Sequence, residues 1–197
     1  MKQFHYMEKW QKLLTTQIVS YLTTIHEYKG KQHLIAERHA DVLENLVEIA
    51  KIQSTESSNK IEGIYTSDER LKKIVLDKTM PKTRNEREIA GYRDVLNTIH
   101  ENFQHIPIRD TFILQLHRDL YKFENASNGG RFKTADNIIE EEDERGNKFV
   151  RFRPLPAWET PDAIINLCTA YNEAINKGEA DSLLLIPMFI IDFLCIH

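Results

Sequence analysis

Apolar residues at Trp10, Leu13, Leu14, Ile18, Tyr21, Leu22 and Ile25 recur at the helical period, and Tyr28-Lys29-Gly30 follows as a stop. The pattern predicts one long helix there. A second helix carries Leu43, Leu46, Val47 and Ala50 on one face and continues toward Ser58, with Gly63 placed where a left-handed cap would end it. Ser67 precedes Asp68 and Glu69, an N-cap followed by two acids in a first turn. From about Arg84 a further helix is set to bury Ile89, Tyr92, Leu96 and Ile99. His105-Ile106-Pro107-Ile108 then turns the chain into another, through Leu114, Leu116 and Leu120.

The helical period breaks at 125–130, Asn-Ala-Ser-Asn-Gly-Gly. Beyond it, Asn137-Ile138-Ile139 and Lys148-Phe149-Val150-Arg151-Phe152 are β-prone runs around Arg145-Gly146-Asn147, which predicts a hairpin. The acidic run 140–144 falls in its middle, read as a solvated tip or as a functional surface. Thr160 as cap and Pro161 at the first helical position open a helix that is set to bury Ile164, Cys168, Tyr171 and Ile175. The final helix, from about Ser182, is apolar nearly all round and is expected at the centre of a bundle.

Composition narrows the classes. The 197 residues suffice for a real core, and the net charge of −4 is spread among both signs, leaving no electrostatic footprint for nucleic acid. The longest apolar run, Leu183 to Ile196, contains Pro187 and Asp192 and is too short for a membrane span. Cys168 and Cys195 sit in apolar helical patterns without metal spacing, and the N-terminus has no signal-type run. Buried free thiols and a cytoplasmic location are expected.

One stretch asks for chemistry. Ser58 and Glu62 are four apart and share a helical face, and Glu62 falls in a last turn, where the helix dipole disfavours an anion unless a cation outside the helix compensates. A polar last turn closed by Gly63 is the alternative.

Ser58-Asn59-Lys60-Ile61-Glu62-Gly63 resembles the inhibitory-helix motif of Fic-family proteins, [S/T]-x-x-x-E-[G/N], in the class that carries it before the catalytic core. Gly130-Arg131-Phe132-Lys133, then Asn137-Ile138, then 150–157 resemble the family's flap region. Asp192-Phe193-Leu194-Cys195-Ile196-His197 resembles the helix leading into the signature H-P-F-x-[D/E]-G-N-G-R-x-x-R, of which only the first histidine is present. The three matches occur in family order.

The resemblance implies a mainly α fold: a Fic-type helical bundle with a β-hairpin flap, truncated before the catalytic loop is complete. Residues 1–65 would be an N-terminal helical region with the inhibitory helix, and 66–197 the first part of the Fic domain. The family reaction transfers AMP from ATP, with magnesium, to a Ser, Thr or Tyr hydroxyl of a target protein. His197 would be the general base. Asn137, Ile138, Ile139, Phe149, Val150, Arg151 and Phe152 would align the target's backbone, and Glu62, with Ser58 and Gly63, would restrain the nucleotide site.

Lacking the signature's anion nest and magnesium ligand, the chain is expected to be inactive and to bind no cofactor tightly. Self-association through an uncovered face of the last helix is also expected, at Leu184, Met188, Ile191 and Cys195. The rival reading is a non-catalytic helical interaction or regulatory module.

Overall fold

The computed structural model describes residues 3–36, 40–124 and 129–196. Among them are eight α-helices and one two-stranded antiparallel sheet, so the chain is mainly α with a hairpin inserted late. The helices are α1 (Tyr6–Lys9), α2 (Thr16–Ala36), α3 (Ala40–Ile61), α4 (Asp68–Val75), α5 (Arg84–Asn102) and α6 (Asp110–Leu120). After the hairpin strands β1 (Ile139–Glu142) and β2 (Lys148–Phe152) come α7 (Thr160–Lys177) and α8 (Ser182–Ile196). Two compact units result, one of Met1–Thr24, Ile108–Thr111 and Phe132–His197, the other of Ile25–Pro107 and Phe112–Arg131.

The second unit is built on α4. Leu71, Ile74 and Val75 lie three and four apart, so they form one stripe, and they are buried against Ile89 and Ala90 of α5. Ile52, Ile64 and Phe123 complete the cluster. Each fully buried aliphatic side chain contributes about 1.5–3 kcal/mol relative to exposure. Ser67 caps α4 as the sequence implies, its Oγ accepting from Arg70 N at 3.3 Å.

Where α5 begins, Thr83 Oγ1 accepts from Glu86 N at 3.1 Å, and the Glu86 carboxylate accepts from Lys82 N and from Arg70 Nε and Nη2. Gly91 lets α6 approach: a Cβ there would lie 1.9 Å from Leu120 O. Of the face expected on α5, Ile89 is buried, Tyr92 and Leu96 partly so, and Ile99 is exposed.

In the first unit α7 buries Ala163, Ile164, Leu167, Cys168 and Ala174. Phe4 and Tyr6 of the N-terminal segment are buried as well, and Tyr171 meets Phe189 of α8 edge-on at 5.0 Å between ring centres. Burial, and then the Asp192 carboxylate, push the Tyr6 phenol up, although Tyr6 Oη makes no well-formed hydrogen bond among the described residues. Both cysteines are free, as expected, and burial pushes the Cys168 thiol up to about 11.

The structure departs from the sequence pattern in several places. The first expected helix is two: a 3-10 turn, Trp10–Leu13, ends before Thr15, whose Oγ1 accepts from Ile18 N and so starts α2. That helix then runs through Gly30 to Ala36, because glycine only weakens a helix unless the backbone turns left-handed, and Gly30 does not. Thr160 lies inside α7, its hydroxyl donating back to Pro156 O, since the 3-10 turn Ala157–Glu159 feeds straight into the helix.

The acidic run divides. Asp143 makes the turn, accepting from Arg145 N and Asn147 N, so Glu140, Glu141 and Glu142 stand in β1 and the tip lies beyond them. Finally, α8 is covered on one side: Leu184, Leu185 and Ile196 are buried, whereas Ile190, Ile191 and Leu194 are exposed. Of the four residues expected to form its uncovered face, only Ile191 is exposed; Met188 and Cys195 are half-buried. Similarly, Leu43, Leu46 and Val47 of α3 are exposed, and among its described side chains the buried ones, Thr55 and Asn59, lie toward its C-terminal end.

Candidate functional site

The stretch from Ser58 to Gly63 lies in the second unit. Helix α3 ends in a Schellman motif: Ile64 N donates to Asn59 O at 2.9 Å and Gly63 N to Lys60 O at 3.0 Å, with Gly63 at φ +74°. Only glycine takes that conformation without strain. Ile64 enters the α4–α5 core and anchors the turn.

On the inner face of this last stretch Thr55 and Asn59 are buried, and Asn59 Nδ2 donates to Thr55 O at 2.7 Å. Ser58 accepts from Tyr92 Oη at 2.9 Å. Glu62 stands just past the helix, exposed, with no ion pair or side-chain hydrogen bond among the described residues. The carboxylate therefore sits beside the carbonyl end of α3 with no described cation to compensate it. Lys60, near it in sequence, pairs back with Glu56.

The hairpin belongs to the first unit. Glu140 pairs with Val150, Glu141 with Phe149 and Glu142 with Lys148, and a bulge between Ile139 and Glu140 leaves Ile139 opposite Phe152. Every residue of both strands is exposed, including Ile139, Phe149, Val150, Arg151 and Phe152. Asn137 and Ile138, also exposed, precede β1. Arg151 reaches diagonally to Glu141 at 2.6 Å.

Two open edges with apolar and charged side chains are the chemistry of strand addition by an extended peptide. At the base of the hairpin Lys133 Nζ donates to Ile196 O at 2.8 Å, and Leu155 N to Cys195 O at 3.4 Å. Burial lowers the Lys133 pKa, and Asp136 opposes that shift.

His197 lies outside the described residues. Among those described, no group of three or more His, Cys, Asp or Glu side chains is placed to hold a metal ion. No described helix is long and apolar enough to cross a membrane. Sequence reasoning missed Tyr92 as partner of Ser58, the buried pair Thr55 and Asn59, and the bond from Lys133 to Ile196 O. The helical spacing of Thr55, Ser58 and Asn59 was a signal; nothing local links Lys133 to the end of α8.

Taken together, a helical chain with a wholly exposed late hairpin and a polar helix end sealed by glycine defines a class of fold. No family model matches the sequence, and no curated protein matches it either. Among solved structures the fold is similar to that of a Fic domain containing signaling protein from Bacteroides thetaiotaomicron, at 19% identity and a TM-score of 0.62. The match covers 74% of this chain and 55% of that one, so this chain spans about half the length of that structure. The fold is Fic-like.

Proposed function

We propose that this chain is the amino-terminal part of a Fic-type protein AMP transferase restrained by its own α3. The observation that carries the reading is the Fic-like fold, in which the polar end of α3, the exposed hairpin and α8 follow one another in the order that the motif resemblances require. In this reading His197 takes the proton from a target Ser, Thr or Tyr hydroxyl as its oxygen attacks the α-phosphorus of ATP, and pyrophosphate leaves. The hairpin holds the target by strand pairing.

Glu62 is exposed and unpaired in the described chain, which suits a carboxylate that reaches for an arginine outside it. Magnesium, when bound, would neutralise phosphate charge, and the described residues offer it no ligand cluster.

The test is transfer of label from α-labelled ATP in the presence of magnesium. The 197-residue chain should show none, a chain continued past His197 through the signature should modify itself or a target, and Glu62→Gly should raise that rate. No transfer by the continued Glu62→Gly chain overturns the reading.

The exposed side chains Ile190, Ile191 and Leu194 on α8 favour a second reading, a helical interaction module that self-associates through that face. Light scattering over a dilution series separates the two, since a monomer at every concentration removes it.

A further inference from the structure

The carbonyl end of α8 is met by chain from both sides of the hairpin. Here Ile196 O is taken by Lys133 Nζ, from the segment just before β1, and Cys195 O by Leu155 N, from the segment just after β2. A third bond ties the two segments to each other, Ala157 N donating to Asp136 Oδ1 at 2.7 Å. Burial disfavours the charged form of Lys133, and Asp136 opposes that effect. Ile196 O belongs to the peptide that leads into His197.

We propose that Lys133 is a positioning residue, clamping the last turn of α8 to the base of the hairpin so that a segment docked on the strands is registered to the peptide entering His197. The use made of that register rests on the Fic-type reading; the clamp itself does not. Lysine suits the task because its stem lies along partly buried surface while its head reaches the Ile196 carbonyl. The Leu155 bond is long and would not hold the turn by itself.

The test uses Lys133→Met, which keeps the length of the stem and removes its donors, beside Lys133→Arg, which keeps charge and donors. Amide hydrogen exchange on the 197-residue chain should show Leu155 N–H and the last-turn amides of α8 exchanging about tenfold faster in Lys133→Met, near wild type in Lys133→Arg, and unchanged in α4 and α5 for both. Equal exchange in wild type and Lys133→Met overturns the clamp.

In the chain continued through the signature, Lys133→Met should lower kcat for AMP transfer about tenfold with KM for ATP unchanged, and Lys133→Arg should restore it. An unchanged kcat beside loosened exchange overturns the positioning role. If the wild-type continued chain transfers no AMP, the Fic-type reading falls, and the exchange result still decides the clamp.

Discussion

At the end of α3 the backbone closes on itself, Ile64 and Gly63 reaching back to Asn59 and Lys60, with a glycine supplying the one conformation the turn demands. At the end of α8 the carbonyls are met instead by a lysine and an amide from segments flanking the hairpin. In both places backbone carbonyls of a last described turn accept. The first depends on a neighbouring residue type and holds wherever α3 holds; the second exists only if the hairpin base is in place. A local cap fixes one helix, whereas a tertiary cap makes one element report the position of another.

Three substitutions measure how far local and distant constraints differ. The largest effect is expected at Gly91, where Ala would put a Cβ 1.9 Å from the Leu120 carbonyl and force α5 and α6 apart. Gly91→Ala should cost about 3 kcal/mol in urea unfolding.

Next comes the distant pair at the start of α5. Arg70 first, then the Lys82 amide, hold the Glu86 carboxyl at about 2 against the opposing effect of burial. A carboxyl depressed in the folded state stabilises the fold above its ordinary value of 4.5, and that stability is lost as pH falls toward about 2. Glu86→Gln should therefore flatten the acid limb of stability against pH in this window. An acid limb unchanged by Glu86→Gln would show the pair to be dispensable.

The smallest effect is the local one. Nothing lies within 4 Å of a Cβ at Gly63, so Gly63→Ala carries only the left-handed backbone penalty, about 1 kcal/mol, and Gly63→Asn less. If thermal unfolding shows Gly63→Ala as damaging as Gly91→Ala, the distinction between local and distant constraint fails.

The same distinction explains what could be read from the sequence. Ser67, Pro161 and Gly63 act through bonds within a few residues, and α4, α7 and the end of α3 form where they indicate. The hairpin was legible for the same reason, through Gly146 and Asn147. The misplaced details are competitions between local options: Thr15 against a continuous first helix, Thr160 as cap or as first-turn donor, Glu140 to Glu142 as tip or as strand.

The one-sided burial of α8 had no local sign, since an all-round apolar helix says only that cover is needed. For the candidate site, Ser58 and Glu62 could be chosen by spacing. That Ser58 is held by Tyr92 while Glu62 is left exposed depends on where α5 packs, which no spacing within α3 encodes.

The exposed hairpin carries a further consequence, one of solubility. A two-stranded ribbon with both edges open and Ile139, Phe149, Val150 and Phe152 at the surface is a template on which like chains stack. Three consecutive glutamates in β1 alter that. When two copies meet β1 against β1 and antiparallel, Glu140, Glu141 and Glu142 face one another strand to strand, and like charges directly opposed are destabilising. The acidic run thus acts as a gatekeeper against pairing of two copies β1 to β1.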